Sequence, residues 1–347
     1  MSLAETGVLT PPGIETVVDA GITGAVFSQS GLLAVSLGDG GVQLIDPAGG
    51  VQTVPAHDGA VLCLVLDIDG RSFLTGGDDG RLVRTTEDAG TSEIMRTPGR
   101  QIDVVAVSRL GKARAVAVGR EVRLIDGSGN VRASSSDHPS TVSALAFNPK
   151  GKRLAAAHYG GVTLWWSATL GQTPSRLTWR GSHIGVSWSP DGTHVMTAMQ
   201  ERELHGWRVA DGSDLAMRGY AAKARSVDWL AKPPTLVTSG ADCVVAWPFS
   251  GSGPQGKPPI EVGQGIGQLV TQVAIHPVRP LVAAGFDDGR VAICELTADR
   301  ESRAIRVRAA DGSKVSALAW SQDGARLAAG TDSGALSIFD LTKASSQ

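Results

Sequence analysis

Apolar residues in this chain fall into short runs that end on one bulky side chain and are then broken by a polar turn. The runs are Ala25-Val26-Phe27, Leu64-Val65-Leu66, Val105-Ala106-Val107, Leu145-Ala146-Phe147, Val186-Ser187-Trp188, Val227-Asp228-Trp229, Val273-Ala274-Ile275 and Leu318-Ala319-Trp320. Their bulky ends, at 27, 66, 107, 147, 188, 229, 275 and 320, recur every 39 to 46 residues. Self-similarity at that period marks a repeat fold in which each unit is too small to bury its own apolar face. Four residues on stands Gly31, Gly70, Gly111, Gly151, Gly192 or Gly324. The other two units turn on proline instead, in Lys232-Pro233-Pro234 and Pro277-Val278-Arg279-Pro280, where the ring fixes φ. A second apolar run follows, as in Arg153-Leu154-Ala155-Ala156-Ala157 or Leu281-Val282-Ala283-Ala284, then a second turn and a third run. Gly38-Asp39-Gly40, Asp78-Asp79-Gly80, Asp287-Asp288-Gly289 and Asp332-Ser333-Gly334 are such turns, and Asp-Gly between apolar runs is a strong hairpin signal. A variable fourth segment, for example Val51-Gln52-Thr53-Val54, completes a four-stranded unit.

The third run of seven of the eight units ends on a recurrent pair: Ile45-Asp46, Ile125-Asp126, Trp165-Trp166, Trp207-Arg208, Trp247-Pro248, Cys294-Glu295 and Phe339-Asp340. Upstream of the first run stand Ala56-His57, Asp137-His138 and Ser182-His183. Over about residues 14–341 the chain resembles the WD40-repeat β-propeller family, whose repeats carry Gly-His and Trp-Asp dipeptides at these places. Both dipeptides are altered here, so the resemblance rests on period and turn pattern, and the family's His-Ser/Thr-Asp-Trp tetrad is expected to be incomplete in every repeat. The resemblance implies an all-β fold: a single propeller domain over 1–347, with eight blades of four antiparallel strands. The last unit stops at Leu341 without a fourth strand, and the segment 14–18, Ile14-Glu15-Thr16-Val17-Val18, is free to supply it, which closes the ring and removes an open edge.

Composition narrows the function. Of 347 residues, 42% are hydrophobic and 19% charged, with 44 Gly and 17 Pro, which suits many short strands and tight turns. A formal net charge of −2 and the lack of a dense Lys/Arg run give no field for nucleic acid. Cys63, Cys243 and Cys294 lie in apolar runs with no Cys-x-x-Cys spacing and read as buried thiols. The opening residues lack a secretory pattern and there is no long apolar stretch. The expectation is a cytoplasmic monomer that engages neither membrane nor nucleic acid.

No catalytic motif stands out. Gly251-Ser252-Gly253-Pro254-Gln255-Gly256 has the spacing of a dinucleotide loop, but it contains Pro254 and precedes no helix pattern. It reads as a loop, and Gly263-Gln264-Gly265-Ile266-Gly267 as a linker. The seven histidines show no metal-ligand spacing, and Asp78-Asp79 and Asp287-Asp288 lack the further ligands of a calcium loop. The expectation is therefore no cofactor, no metal and no enzyme. In the family, the loops entering the first strand and those joining second to third strands share one face. That places His158, Gln200, Glu201 and the candidate partner-binding residues Tyr159, Arg180, His183, Arg202, Tyr220, Lys223 and Arg225 together. Tyr and Arg often anchor interfaces, so the function expected is a scaffold for a protein or peptide partner. The alternative is a small-ligand, metal-binding or enzymatic propeller using a central channel, for which Asp103 and Asp228 are the notable acids. Of the eight tryptophans, Trp166 and Trp179 are the two expected to be partly exposed.

Overall fold

A computed structural model describes residues 7–8 (backbone), 11–168, 170, 173–251, 253–263, 267–296 and 303–342. Ser252, Gln264, Gly265 and Ile266, within the two glycine-rich loops, lie outside the described residues. Among the described residues every regular element is a strand.

Three antiparallel four-strand sets follow one another early in the chain. They are Ile22–Phe27, Leu33–Leu37, Gly41–Ile45 and Val51–Pro55; Val61–Leu66, Phe73–Gly77, Arg81–Thr85 and Thr91–Arg96; and Val104–Ser108, Ala113–Val118, Glu121–Asp126 and Val131–Ser135. A six-strand sheet follows, formed by Val142–Phe147, Arg153–Trp166, Ser175–Trp188, His194–Met199, Leu204–Arg208 and Asp214–Met217. Val227–Leu230, Thr235–Thr238, Val244–Pro248 and Ile260–Val262 make the next sheet. Val270–Ile275, Leu281–Phe286, Val291–Glu295 and Ala304–Arg308 carry Gly7–Val8 as an added parallel strand. Val315–Trp320, Arg326–Thr331 and Ala335–Asp340 are completed by Gly13–Val17, antiparallel, with Ile14 opposite Ile338.

Among the described residues there are thus seven sheets, not the eight separate blades expected. The difference arises where the fourth repeat meets the fifth. Ser175–Trp188 runs for fourteen residues, pairing with Arg153–Trp166 up to Ser182 and with His194–Met199 from His183 onward. Arg180-Gly181-Ser182 joins outer strand to next first strand without leaving the ladder, aided by Gly181 at φ 140°, which a side chain would disfavour. Arg153–Trp166 likewise changes partner between His158 and Tyr159, just before Gly160 and Gly161, both with positive φ. Two repeats therefore share one hydrogen-bonded sheet.

The Asp-Gly turns behave as their chemistry dictates. Gly40, Gly80, Gly289 and Gly334 have positive φ, and the carboxylates of Asp39, Asp79 and Asp288 each accept the N–H two residues on.

The chain divides into two compact units: one of Met1–Leu37, Ile45–Val51 and Tyr220–Gln347, the other of Gly38–Leu44 and Gln52–Gly219. In the first, Val18, Ile22, Phe27 and Val35 pack with Ala317, Ala328, Leu336 and Ile338. A second cluster joins Ala274 and Ala283 to Trp320, Leu327 and Phe339. Hydroxyls tie successive first strands together: Thr271 Oγ1 donates to the Val315 carbonyl (2.7 Å) and Ser316 Oγ to that of Ile22 (2.6 Å). In the second unit, Ala155, Val162, Leu164 and Val195 pack around Trp188 and Trp207. There Ser143 Oγ donates to the His183 carbonyl and the Trp188 indole to that of Ala146. The bulky strand ends Phe27, Trp188 and Trp320 thus sit where one repeat meets the next.

Candidate functional site

In the unit that contains residues 52–219, the joined sheet builds a surface from three neighbouring segments. Tyr159 lies opposite Ser182 in the ladder. The N–H of Ser182 donates to the carboxylate of Glu201 (3.0 and 3.2 Å), which brings the turn Gln200-Glu201-Arg202 beside it. Arg202 holds φ 61° at that turn. Tyr159 is 55% exposed; Arg180, Gln200, Glu201 and Arg202 are exposed as well. Arg180 makes no ion pair among the described residues. At the flank, Arg218 pairs with Glu203 (2.9 Å), which also accepts from the half-buried Trp179 indole (3.4 Å).

His183 does not belong to this surface. It is fully buried; Nδ1 meets Thr197 Oγ1 at 2.8 Å and Nε2 donates to the Trp179 carbonyl at 3.0 Å. Burial holds its pKa below the usual histidine value, so the ring is a neutral structural bridge.

In the other unit, Arg225 is exposed and Lys223 half-buried, but Tyr220 is interior. The Trp247 indole donates to the Tyr220 hydroxyl (2.8 Å), which lies 2.8 Å from Thr238 Oγ1, itself a donor to the Val245 carbonyl (3.1 Å). The threonine proton being committed, the tyrosine proton must go to Thr238. Burial pushes the phenol up to about 12, and the hydroxyl has nothing left for a partner. Tyr220 replaces the missing histidine of its repeat. The sequence carried a signal for this, since Trp247 stands at the family's Trp position and no histidine lies between Asp211 and Ser226.

The repeat histidines form partial networks. His57 bonds Thr75 (2.9 Å) and Asp79 (3.0 Å), with Thr85 where a Trp would stand. His138 accepts from the Trp165 indole (3.1 Å) and His158 bonds Thr163 (2.9 Å). His205 is the exception: it stacks on Trp179 at 3.9 Å, and neither ring nitrogen has an aligned hydrogen bond among the described residues. The Asp214 carboxylate is 3.3 Å from its Nε2 but off the bonding direction. Burial lowers its pKa to about 4.

Sequence reasoning missed a polar centre around Asp67 in the same unit as the Tyr159 surface. Asp67 accepts from Arg114 and Arg84, and Arg84 also reaches Asp69. Burial opposes ionisation of Asp69, yet the N–H groups of Ser72 and Arg71, the Ser72 hydroxyl and Arg84 outweigh it and hold the carboxyl well below its usual range. Asp67, Asp69, Arg84 and Arg114 line a depression of about 440 Å³, but the two guanidinium groups and two carboxylates satisfy one another. No single residue type flags it, because the pair spans 47 positions.

Of the two acids proposed for a channel, Asp228 is half-buried; desolvation raises its carboxyl pKa, and it accepts the N–H groups of Trp229 and Ile275 (both 2.8 Å). Asp103 lies exposed beside Gln101. Cys243 and Cys294 are buried as expected and Cys63 is only half-buried; all three thiols are pushed up to about 12, chiefly by desolvation, which keeps them protonated. Trp166 is exposed with Arg153 over its ring.

Two kinds of family model match. One is described as WD domain, G-beta repeat, at residues 50–83 and 129–167. The other is Nucleolar protein 10-like, N-terminal domain, a β-propeller model, at 224–346. The chain belongs to the WD40-repeat β-propeller family. Among curated WD40 relatives, cilia- and flagella-associated protein 52 of Bos taurus is 21% identical over 238 residues, 64% of this chain and 36% of that one. Actin-interacting protein 1 of Drosophila melanogaster is 23% identical over 164 residues, 46% of this chain and 26% of that one. The chain thus spans about a quarter to a third of these relatives' length. The crystal structure of the C-terminal WD40 domain of Sif2 matches with a TM-score of 0.76 at 14% identity, covering 95% of this chain and 99% of that one. The single all-β propeller class expected from the repeat pattern therefore holds for this WD40 chain.

Proposed function

We propose that this WD40 propeller is a non-enzymatic scaffold that binds a protein or peptide partner through the surface of Tyr159, Arg180 and Arg202. Lys223 and Arg225 belong to the other unit and are proposed separately as partner contacts of that unit, whereas His183 and Tyr220 each support the fold of their own unit. The observation that carries the proposal is an exposed Tyr159 on the strand paired with that of an exposed Arg180, which makes no ion pair among the described residues. Aromatic area and guanidinium donors are the side chains that contribute most at interfaces. WD40 relatives that include a protein named for interacting with actin support a binding role in general terms. The reading includes a single domain, a monomer and a cytoplasmic location.

A photo-crosslinking residue at position 180 of the full chain, compared with one at the exposed but remote-in-sequence Leu110, tests it. A discrete adduct with one partner at 180 and none at 110 supports the surface. Equal labelling at both positions contradicts it.

A further inference from the structure

Asp67 and Asp228 are both acids held back from solvent, but they are compensated differently. Asp67 faces two guanidinium groups. Half-buried Asp228 accepts only backbone N–H groups, those of Trp229 and Ile275, and among the described residues no cation lies within ion-pair distance of it. Desolvation raises its carboxyl pKa, as expected of an acid without a counter-charge. The repeat does not call for an acid at this place: one position before the bulky strand end, the seven other units carry Val, Ala or Ser. Asp228 instead has open space beside it. It lines two depressions within its own unit, of about 410 and 310 Å³. The smaller is walled by the ends of four first strands, Ile22–Phe27, Val227–Leu230, Val270–Ile275 and Val315–Trp320, all in the unit that holds Met1–Leu37 and Tyr220–Gln347. Val26, Ile275 and Leu318 are half-buried there and give it an apolar surface. Ser321 and Gln322 are its other polar side chains, and the Ser321 hydroxyl donates to Asp323 (2.6 Å).

We propose that Asp228 and this apolar wall bind a small organic ammonium ion, its charge on the carboxylate and its hydrocarbon against Val26, Ile275 and Leu318. Small-ligand sites are depressions of this size, mostly apolar, in which a few polar groups set the orientation. Each carboxylate oxygen has two lone pairs and gives one to a backbone N–H, so one on each oxygen remains for the ligand. A hydrogen bond between an ammonium and a carboxylate is stronger than one between neutral groups. An anion is repelled by Asp228 and a neutral ligand leaves it uncompensated, so charge sets the selectivity. The smaller depression is the site because the larger one carries an exposed cation, Lys232. Tyr159, Arg180 and Arg202 lie in the other unit, so this site goes beyond the scaffold reading and stands or falls without it.

The test is isothermal titration calorimetry of the full chain at neutral pH with three probes of similar shape: benzylamine, which is an ammonium ion there, neutral benzyl alcohol and anionic benzoate. The wild-type chain is expected to bind benzylamine at least tenfold more tightly than benzyl alcohol and to bind benzoate least. Asp228→Asn, which keeps the shape and removes the charge, should bring amine and alcohol within twofold of each other. Leu318→Lys, which puts a tethered ammonium on the wall, should abolish amine binding, and it decides the matter should Asp228→Asn fold poorly. Equal binding of amine and alcohol by the wild type, tighter binding of benzoate, or no binding of benzylamine overturns the proposal. So does an amine preference that survives in folded Asp228→Asn, or an amine affinity unchanged in Leu318→Lys.

Discussion

Arg114 and Asp67 form a two-pronged ion pair in the interior: Nε and Nη2 each lie 2.7 Å from a carboxylate oxygen, with side-chain exposures of 2% and 0%. Arg114 Nη1 also donates to the Asp126 carbonyl at 2.6 Å, and Asp67 accepts the Ile68 N–H. Forty-seven residues of chain are thereby pinned by one contact between neighbouring repeats. Removing one partner of such a pair leaves a buried charge behind, which costs about 3 to 5 kcal/mol. Arg84 remains near Asp67 at 3.1 Å, so Arg114→Met should lose about 3 kcal/mol in urea unfolding. Asp67→Asn combined with Arg114→Met should recover much of that loss, because no unpaired carboxylate is left.

Tyr220→Phe tests the replacement of the repeat histidine. The change removes only the hydroxyl that joins Trp247 to Thr238, stranding the indole N–H. A loss of about 1 to 3 kcal/mol is expected, with partner binding unaffected in whatever fraction stays folded. Unchanged stability would mean that the hydroxyl is not part of the packing.

These two cases show what the sequence made legible and what it did not. The first-strand ends, the Asp-Gly turns and the N-terminal strand donor could all be read, since each depends on local pattern: a bulky residue every 39 to 46 positions, or a glycine that must take positive φ. The sheet count could not, because it turns on whether Arg180-Gly181-Ser182 stays hydrogen-bonded, and composition does not encode that. Nor could the burial of Tyr220 and His183. Tyr and His have amphipathic side chains that serve equally inside and outside, and only the threonines and tryptophans facing them decide.

His205 makes stability depend on pH. Its folded-state pKa is about 4, lowered first by burial, whereas the unfolded side chain titrates near 6.5. Between those values the unfolded chain binds the extra proton, so stability rises with pH. The contribution is fully present above about 6.5 and is lost as pH falls towards 4. Burial shifts His138, His158 and His183 in the same direction. His205→Phe keeps the stack on Trp179 and removes one titration, so its unfolding free energy should fall less than that of the wild type between pH 6.5 and 4. Parallel profiles would refute this.

The N-terminal strand contributes through Ile14, which is half-buried against the cluster of Ile22, Phe27 and Leu336. Ile14→Ala should cost about 1 to 2 kcal/mol. Val17, on the same strand but 74% exposed, should tolerate alanine with no measurable change. A thermal melt of the two variants side by side distinguishes them.

The measurement that bears most directly on the scaffold proposal is quantitative affinity capture from the native cell with the wild-type chain and with Arg180→Glu/Arg202→Glu, both checked for an unchanged melting temperature. Both positions are exposed, so the fold should be unaffected. The proposal predicts a specific protein partner held by the wild type and reduced at least tenfold by the charge reversal. Retention of every wild-type partner by the folded variant would contradict it.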